Sequence, residues 1–122
     1  MNTIAELRVL VFSFNDIKKA LELSAQQLNI SVPDKDITEV IGADGEEVTI
    51  LFQNSPGIHE PGLDIQEHDM IESLIGLCIS RKIPIPRNAE KTIEVQRNTI
   101  SMWIETGDVD NTDATEQARK RI

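Results

Sequence analysis

ISRKIPIPRNAEK, residues 79–91, closes a run of apolar residues at helical spacing, and its two prolines drive the following backbone into extended geometry. AQQLNISVPDKDI, residues 25–37, has the same layout: the end of an amphipathic stretch, an Ile-x-x-Pro joint, then β-branched residues. Displacing the chain by 53 positions lays one joint on the other. Ile30, Val32 and Pro33 fall on Ile83, Ile85 and Pro86, and upstream Asp16, Ile17 and Leu21 fall on Asp69, Met70 and Leu74. A fixed-period repeat decides architecture before any single element does, so this correspondence governs the fold expected.

The elements follow from local chemistry. LRVLVFSF (7–14) is rich in β-branched and aromatic residues and predicts a strand buried on much of both faces. Ser13 and Asp16 have the spacing of a capping box, and Ile17, Ala20, Leu21, Ser24, Ala25 and Leu28 then form one narrow, largely apolar stripe on a helix ending near Asn29. ITEVI (37–41) and VTILF (48–52) flank the hairpin dipeptide Asp44-Gly45. QNSPGIHEPG (53–62), with two Pro-Gly pairs, interrupts regular structure. A second helix is expected to open at Asp64, with Glu67 as its cap partner, and to carry Arg81 and Lys82 in its last turn. KTIEVQ, a tight turn at Arg97-Asn98, and TISMWIE complete a second hairpin. After that turn the offset loses one residue, so Val48, Ile50 and Phe52 match Ile100, Met102 and Ile104.

The expected fold class is α+β. Two pseudo-repeated helix-hairpin (αββ) units follow an N-terminal strand, and their hairpins join into one antiparallel sheet covered by two helices. Repeat one covers about 7–53, a linker 54–63 and repeat two about 64–105. Residues 1–106 make a single domain, and 107–122 form an acidic, mixed-charge tail.

With 122 residues, 39% apolar and 27% charged, the chain has the length and composition of one globular core. Its formal net charge of -9 repels nucleic acid and anionic membrane at long range. The apolar run near the N-terminus, VLVF, is too short for a signal-peptide core or a membrane span, and a lone cysteine, Cys78, permits no intramolecular disulfide. These features predict a cytoplasmic setting with no membrane association.

The copies differ most on one helical stripe. Lys18, Glu22 and Gln26 of the first helix correspond to Ile71, Ile75 and Ile79 of the second. With Met70, Leu74, Leu77 and Cys78 beside them, the second helix is apolar around more than half its circumference, more than one sheet face covers. Two readings stay open. The isoleucines are core, between the sheet and the first helix, or they are a self-association face, most simply between two copies across a two-fold axis.

Other candidates for partner contact are Trp103 and Leu51, on the outer faces of their strands, and the basic cluster Arg81, Lys82, Arg87 and Lys91. Trp103 is an anchor for a partner or a side chain covered by the chain itself. The cluster, extended by Arg97 to a basic patch at 81–97, is the basis of an alternative reading as a nucleic-acid-associated regulator, but Glu90 and Glu94 interrupt it and stacking aromatics are absent. Arg87 replaces Asp34 of the first joint, which suggests an opposite-charge contact with the Asp34 and Asp36 joint of another subunit.

Catalytic chemistry has little basis here. No glycine-rich phosphate loop is present, Cys78 sits on an apolar stripe as a packing residue would, and no catalytic residue stands out. His59, Glu60, Glu67 and His68 match no established zinc spacing, and Asp108, Asp110 and Asp113 lack the glycine and glutamate of a calcium loop. No cofactor and no metal are expected. The sequence therefore points to a non-enzymatic, self-associating protein-interaction or regulatory module, a homodimer with a possible protein partner and with nucleic acid disfavoured. An enzyme with an unrecognised site is the second alternative.

Overall fold

The computed structural model describes residues 5–42, 47–53, 62–96 and 98–107. The order is β1 (Glu6–Ser13), α1 (Phe14–Leu28), β2 (Ile37–Gly42), β3 (Glu47–Phe52), β4 (Leu63–Gln66), α2 (Glu67–Ser80), β5 (Glu90–Val95) and β6 (Thr99–Thr106). The protein is α+β, and its described residues form two helices and two three-stranded antiparallel sheets, ordered β1-β6-β5 and β2-β3-β4.

The expected single sheet is thus corrected to two. The strands at the junction, β2 and β5, come together where Gly42 meets Val95, but among the described residues they share no ladder. A continuous six-stranded sheet twisting about 20–25° per strand would carry its far edges beyond the reach of two helices. The break solves this: α1 rests on β1 of one sheet and β2 of the other, while α2 rests on β3 and β4 of one and β5 of the other. Both helices span the seam and pack against each other.

The first sheet contains the longest-range pairing. β1 adds to β6 with Glu6 opposite Thr106 and Ser13 opposite Thr99, so opposite ends of the described chain are neighbours. In β6, Ile100, Met102 and Ile104 face the helices together with Leu10, Phe12 and Ile93, the alternation that period-two patterning demands. In the second sheet Val48, Ile50 and Phe52 do the same with Val40 and Ile65. These side chains join Ile17, Ala20, Leu21, Met70, Leu74 and Leu77 in one core.

α1 begins with the capping box that the sequence indicates. The Asp16 amide donates to Ser13 Oγ at 3.2 Å, and the Ser13 amide donates to Asp16 Oδ2 at 3.0 Å. The start of α2 differs from expectation. Asp64 belongs to β4, where it accepts a 2.7 Å hydrogen bond from Thr49 Oγ1, and the helix begins at Glu67. An alternating Leu-Asp-Ile-Gln segment that can extend the β2-β3 hairpin pairs with it in preference to joining the helix. Leu63, assigned to the linker by sequence, is therefore the first residue of a strand. Residues 54–61 of that linker, the Asp44-Gly45 turn, Arg97 and the tail from 108 onward lie outside the described residues.

The two joints have matching backbones. Asn29 (φ 55°) and Lys82 (φ 60°) both adopt the left-handed conformation just past their helices. The Ile30 amide then donates to Ala25 O at 2.9 Å and the Ile83 amide to Cys78 O at 2.8 Å, a six-to-one closure of each last turn. Arg81 and Lys82 accordingly lie at and beyond the C-cap of α2, not within its last turn.

Candidate functional site

α2 is more apolar than its place in the fold requires. Met70, Leu74, Leu77 and Cys78 are fully buried on one side. The isoleucines on the next stripe divide into two kinds. Ile71 and Ile75 are partly buried and pack on the core, whereas Ile79 is 67% exposed, the most exposed of the large apolar side chains among the described residues. Val11, Leu23 and Ile41 are the others, on three separate elements.

A surface groove of about 490 Å³ lies over this part of α2. Its floor is α2 itself, with Ile75, Gly76 and Ile79. Ser24, Gln27 and Leu28 of α1 form one flank, and Ile85, Pro86 and Arg87 of the second joint form the other with Lys91 of β5. Gly76 makes the floor bare: a Cβ built there would meet nothing within 4 Å. Glycine inside a helix costs about 1 kcal/mol relative to alanine, and here no internal contact requires it.

The groove is polarised. Asp69 and Glu72 lie along α2 toward its N-terminus, and Arg87 and Lys91 stand on the joint side. His68 Nε2 lies 3.1 Å from Asp69 Oδ1, and Lys91 Nζ donates to Arg87 O at 3.3 Å. Among the described residues, neither the Glu72 carboxylate nor the Arg87 guanidinium has an ionic partner within 4 Å. The acidic first joint occupies a separate hollow, where Asp34 and Asp36 sit with Lys18 and Lys35.

Of the residues singled out from sequence, the groove gathers Ile75, Ile79, Arg87 and Lys91. Arg81 is diverted to Asp16, with Nη1 2.9 Å from Oδ1. Lys82 is exposed beyond the helix. Trp103 lies between Val9 and Thr92 on the sheet face turned away from the helices and is only 7% exposed. Leu51 stands half-buried opposite Glu39. Glu72 is an ordinary helix residue with no mark in the sequence, and Gly76 sits in mid-helix where glycine is unfavourable. The available signal was a glycine in mid-helix between two isoleucines of one stripe.

Cys78 has the environment of a packing residue. Burial pushes its thiol above the ordinary value, and the Arg8 and Arg81 charges only partly offset this. Glu67 and His68 occupy the first turn of α2, while His59 and Glu60 lie outside the described residues. Among the described residues, no group of three or more His, Cys, Asp or Glu is placed to hold a metal, and no helix is long and apolar enough to cross a membrane.

No family model, curated protein or solved structure matches this chain.

Proposed function

We propose that this protein is a non-enzymatic interaction or regulatory module that self-associates as a homodimer through the exposed stripe of α2. The observation that carries the reading is Ile79, 67% exposed on the floor of a groove that Gly76 leaves bare beside it. In the same reading the chain is a tandem of two related units. α1 begins at Phe14 and α2 at Glu67, β2 at Ile37 and β5 at Glu90, an offset of 53 in both cases, and both joints close through a left-handed residue followed by isoleucine. The solvent stripe of the first unit, Lys18, Glu22 and Gln26, is replaced in the second by Ile71 and Ile75, which pack on the core, and Ile79, which faces the partner. The compartment proposed is the cytoplasm, where a lone thiol stays reduced.

Burying an exposed isoleucine contributes roughly 1.5–3 kcal/mol, hence roughly 3–6 kcal/mol for two copies across a two-fold axis. Association costs about 4–15 kcal/mol, so Ile79 alone does not suffice and the rest of the groove has to contribute. A protein partner is favoured over nucleic acid because Arg81 is held by Asp16, and the exposed Glu90 and Glu94 flank the remaining cations.

Sedimentation equilibrium on Ile79→Gln tests the reading. Because Ile79 is exposed, the variant keeps its fold and stability, and the prediction is a loss of dimer relative to the parent chain. A parent chain that is monomeric at every concentration tested, or a variant that dimerises equally well, refutes it. Changing all three isoleucines is a poorer test, because Ile71 and Ile75 also pack on the core.

A further inference from the structure

We propose that the occupant of the groove is a second copy of this chain, its α2 crossing the first at Gly76 about a two-fold axis, so that Glu72 of each copy meets Arg87 and Lys91 of the partner subunit. The inference rests on the self-association reading above and gives it an axis, a contact point and a charge code.

A two-fold interface is self-complementary: whatever one copy presents, the same patch of the other must accept. A patch with charge of one sign fails this condition, and the -9 net charge of each chain adds a general repulsion. The groove meets it because both signs border one apolar floor. Glu72 stands one turn before Gly76 on α2, and Arg87 and Lys91 stand on the flanking joint and strand. In the proposed arrangement the two-fold axis lies in the interface at Gly76, and each Glu72 meets the basic flank of the opposite copy. Glu72 and Arg87 are available for this, having no ionic partner within 4 Å among the described residues.

Gly76 supplies the steric condition. Helices usually pack with axes about 8–10 Å apart, a distance set by the side chains at the crossing point. At Gly76 there is no side chain, and the space a Cβ would occupy is open. Ile79 lies one turn further along, where a second α2 crossing above would cover it. The acidic first joint is a poorer counter-charge for Arg87, since Asp34 and Asp36 share their hollow with Lys18 and Lys35.

Charge reversal tests the arrangement. Glu72→Arg and the double change Arg87→Glu with Lys91→Glu alter groove-rim side chains outside the core, and circular dichroism confirms that each variant is folded. Sedimentation equilibrium of each variant alone is expected to show dimerisation weakened about tenfold or more, because like charges then face each other twice. An equimolar mixture is expected to recover the dimer as a heterodimer: one contact is the native pair, the other the same pair with its charges exchanged. If each variant dimerises as the parent does, the crossing is wrong although self-association stands. If each is weakened and the mixture fails to recover, Glu72 does not face Arg87 and Lys91, and the proposal is overturned. A monomeric parent chain removes the self-association reading itself.

Discussion

Arg81 Nη1 lies 2.9 Å from Asp16 Oδ1, joining the C-cap of α2 to the first turn of α1. The contact binds the start of α1 to the end of α2, and a second strap lies nearby: Arg8 Nη1 donates to Pro84 O at 2.8 Å, tying β1 to the second joint. Of the four cations Arg81, Lys82, Arg87 and Lys91, Arg81 is thus structural. The sequence offered no sign of this, because Asp16 and Arg81 are 65 positions apart.

Asp16 makes stability depend on pH. Burial pushes its carboxyl up, but hydrogen bonds from Arg81 and Ser13 and the Arg81 charge together outweigh this and hold it below its ordinary value. A carboxylate with a depressed folded-state pKa contributes stability above its unfolded value, near 3.9, and loses it as pH falls through the folded one. Asp16→Asn is therefore expected to lower stability at pH 7 by about 1 kcal/mol, with the difference shrinking below about pH 4. Urea denaturation of both chains at the two pH values measures this.

The seam between the sheets depends on Gly42. A Cβ there would lie 2.6 Å from Val95 Cγ2, and valine is stiff about χ1, so Gly42→Ala is expected to cost about 1–3 kcal/mol. Val95→Ala removes the Cγ2 contact but leaves Val95 Cβ 2.9 Å from the added methyl group. A double-mutant cycle by thermal melts should show the pair coupled, the second change recovering part of the loss due to the first.

Lys82 adopts a backbone conformation that favours glycine or asparagine. Lys82→Gly is expected to raise stability by about 0.5–1 kcal/mol, while Asn29→Gly at the equivalent site gains less, since asparagine tolerates this region better than lysine does. Parallel denaturant midpoints with unchanged slopes would establish both effects.

Gly76→Ala separates folding from association. The helix gains about 0.8–1 kcal/mol of propensity with no clash, so the melting temperature of the monomer should rise. The added methyl group lies where a crossing helix would approach, so the dimer should weaken in sedimentation. A change that stabilises the fold and impairs association marks a surface kept bare for a partner.

The sequence alone determined what local chemistry can determine. The capping box at Ser13 and Asp16 and the end of α1 at Asn29 depend on atoms a few residues apart, and each took the form expected, whereas α2 ended earlier than expected, with Arg81 at its C-cap and Lys82 beyond it. Period-two alternation likewise set which side chains of β3 and β6 face the core. The division into two sheets, the recruitment of β4 ahead of α2, and the pairing of β1 with β6 belong to the tertiary structure. They follow from sheet twist and from competition among distant strands for the same edges, and neither leaves a mark at the position it affects. The three isoleucines show the same boundary. Their spacing placed them on one stripe, but only the packed structure, with two helices spanning a seam, covers Ile71 and Ile75 and leaves Ile79 in water.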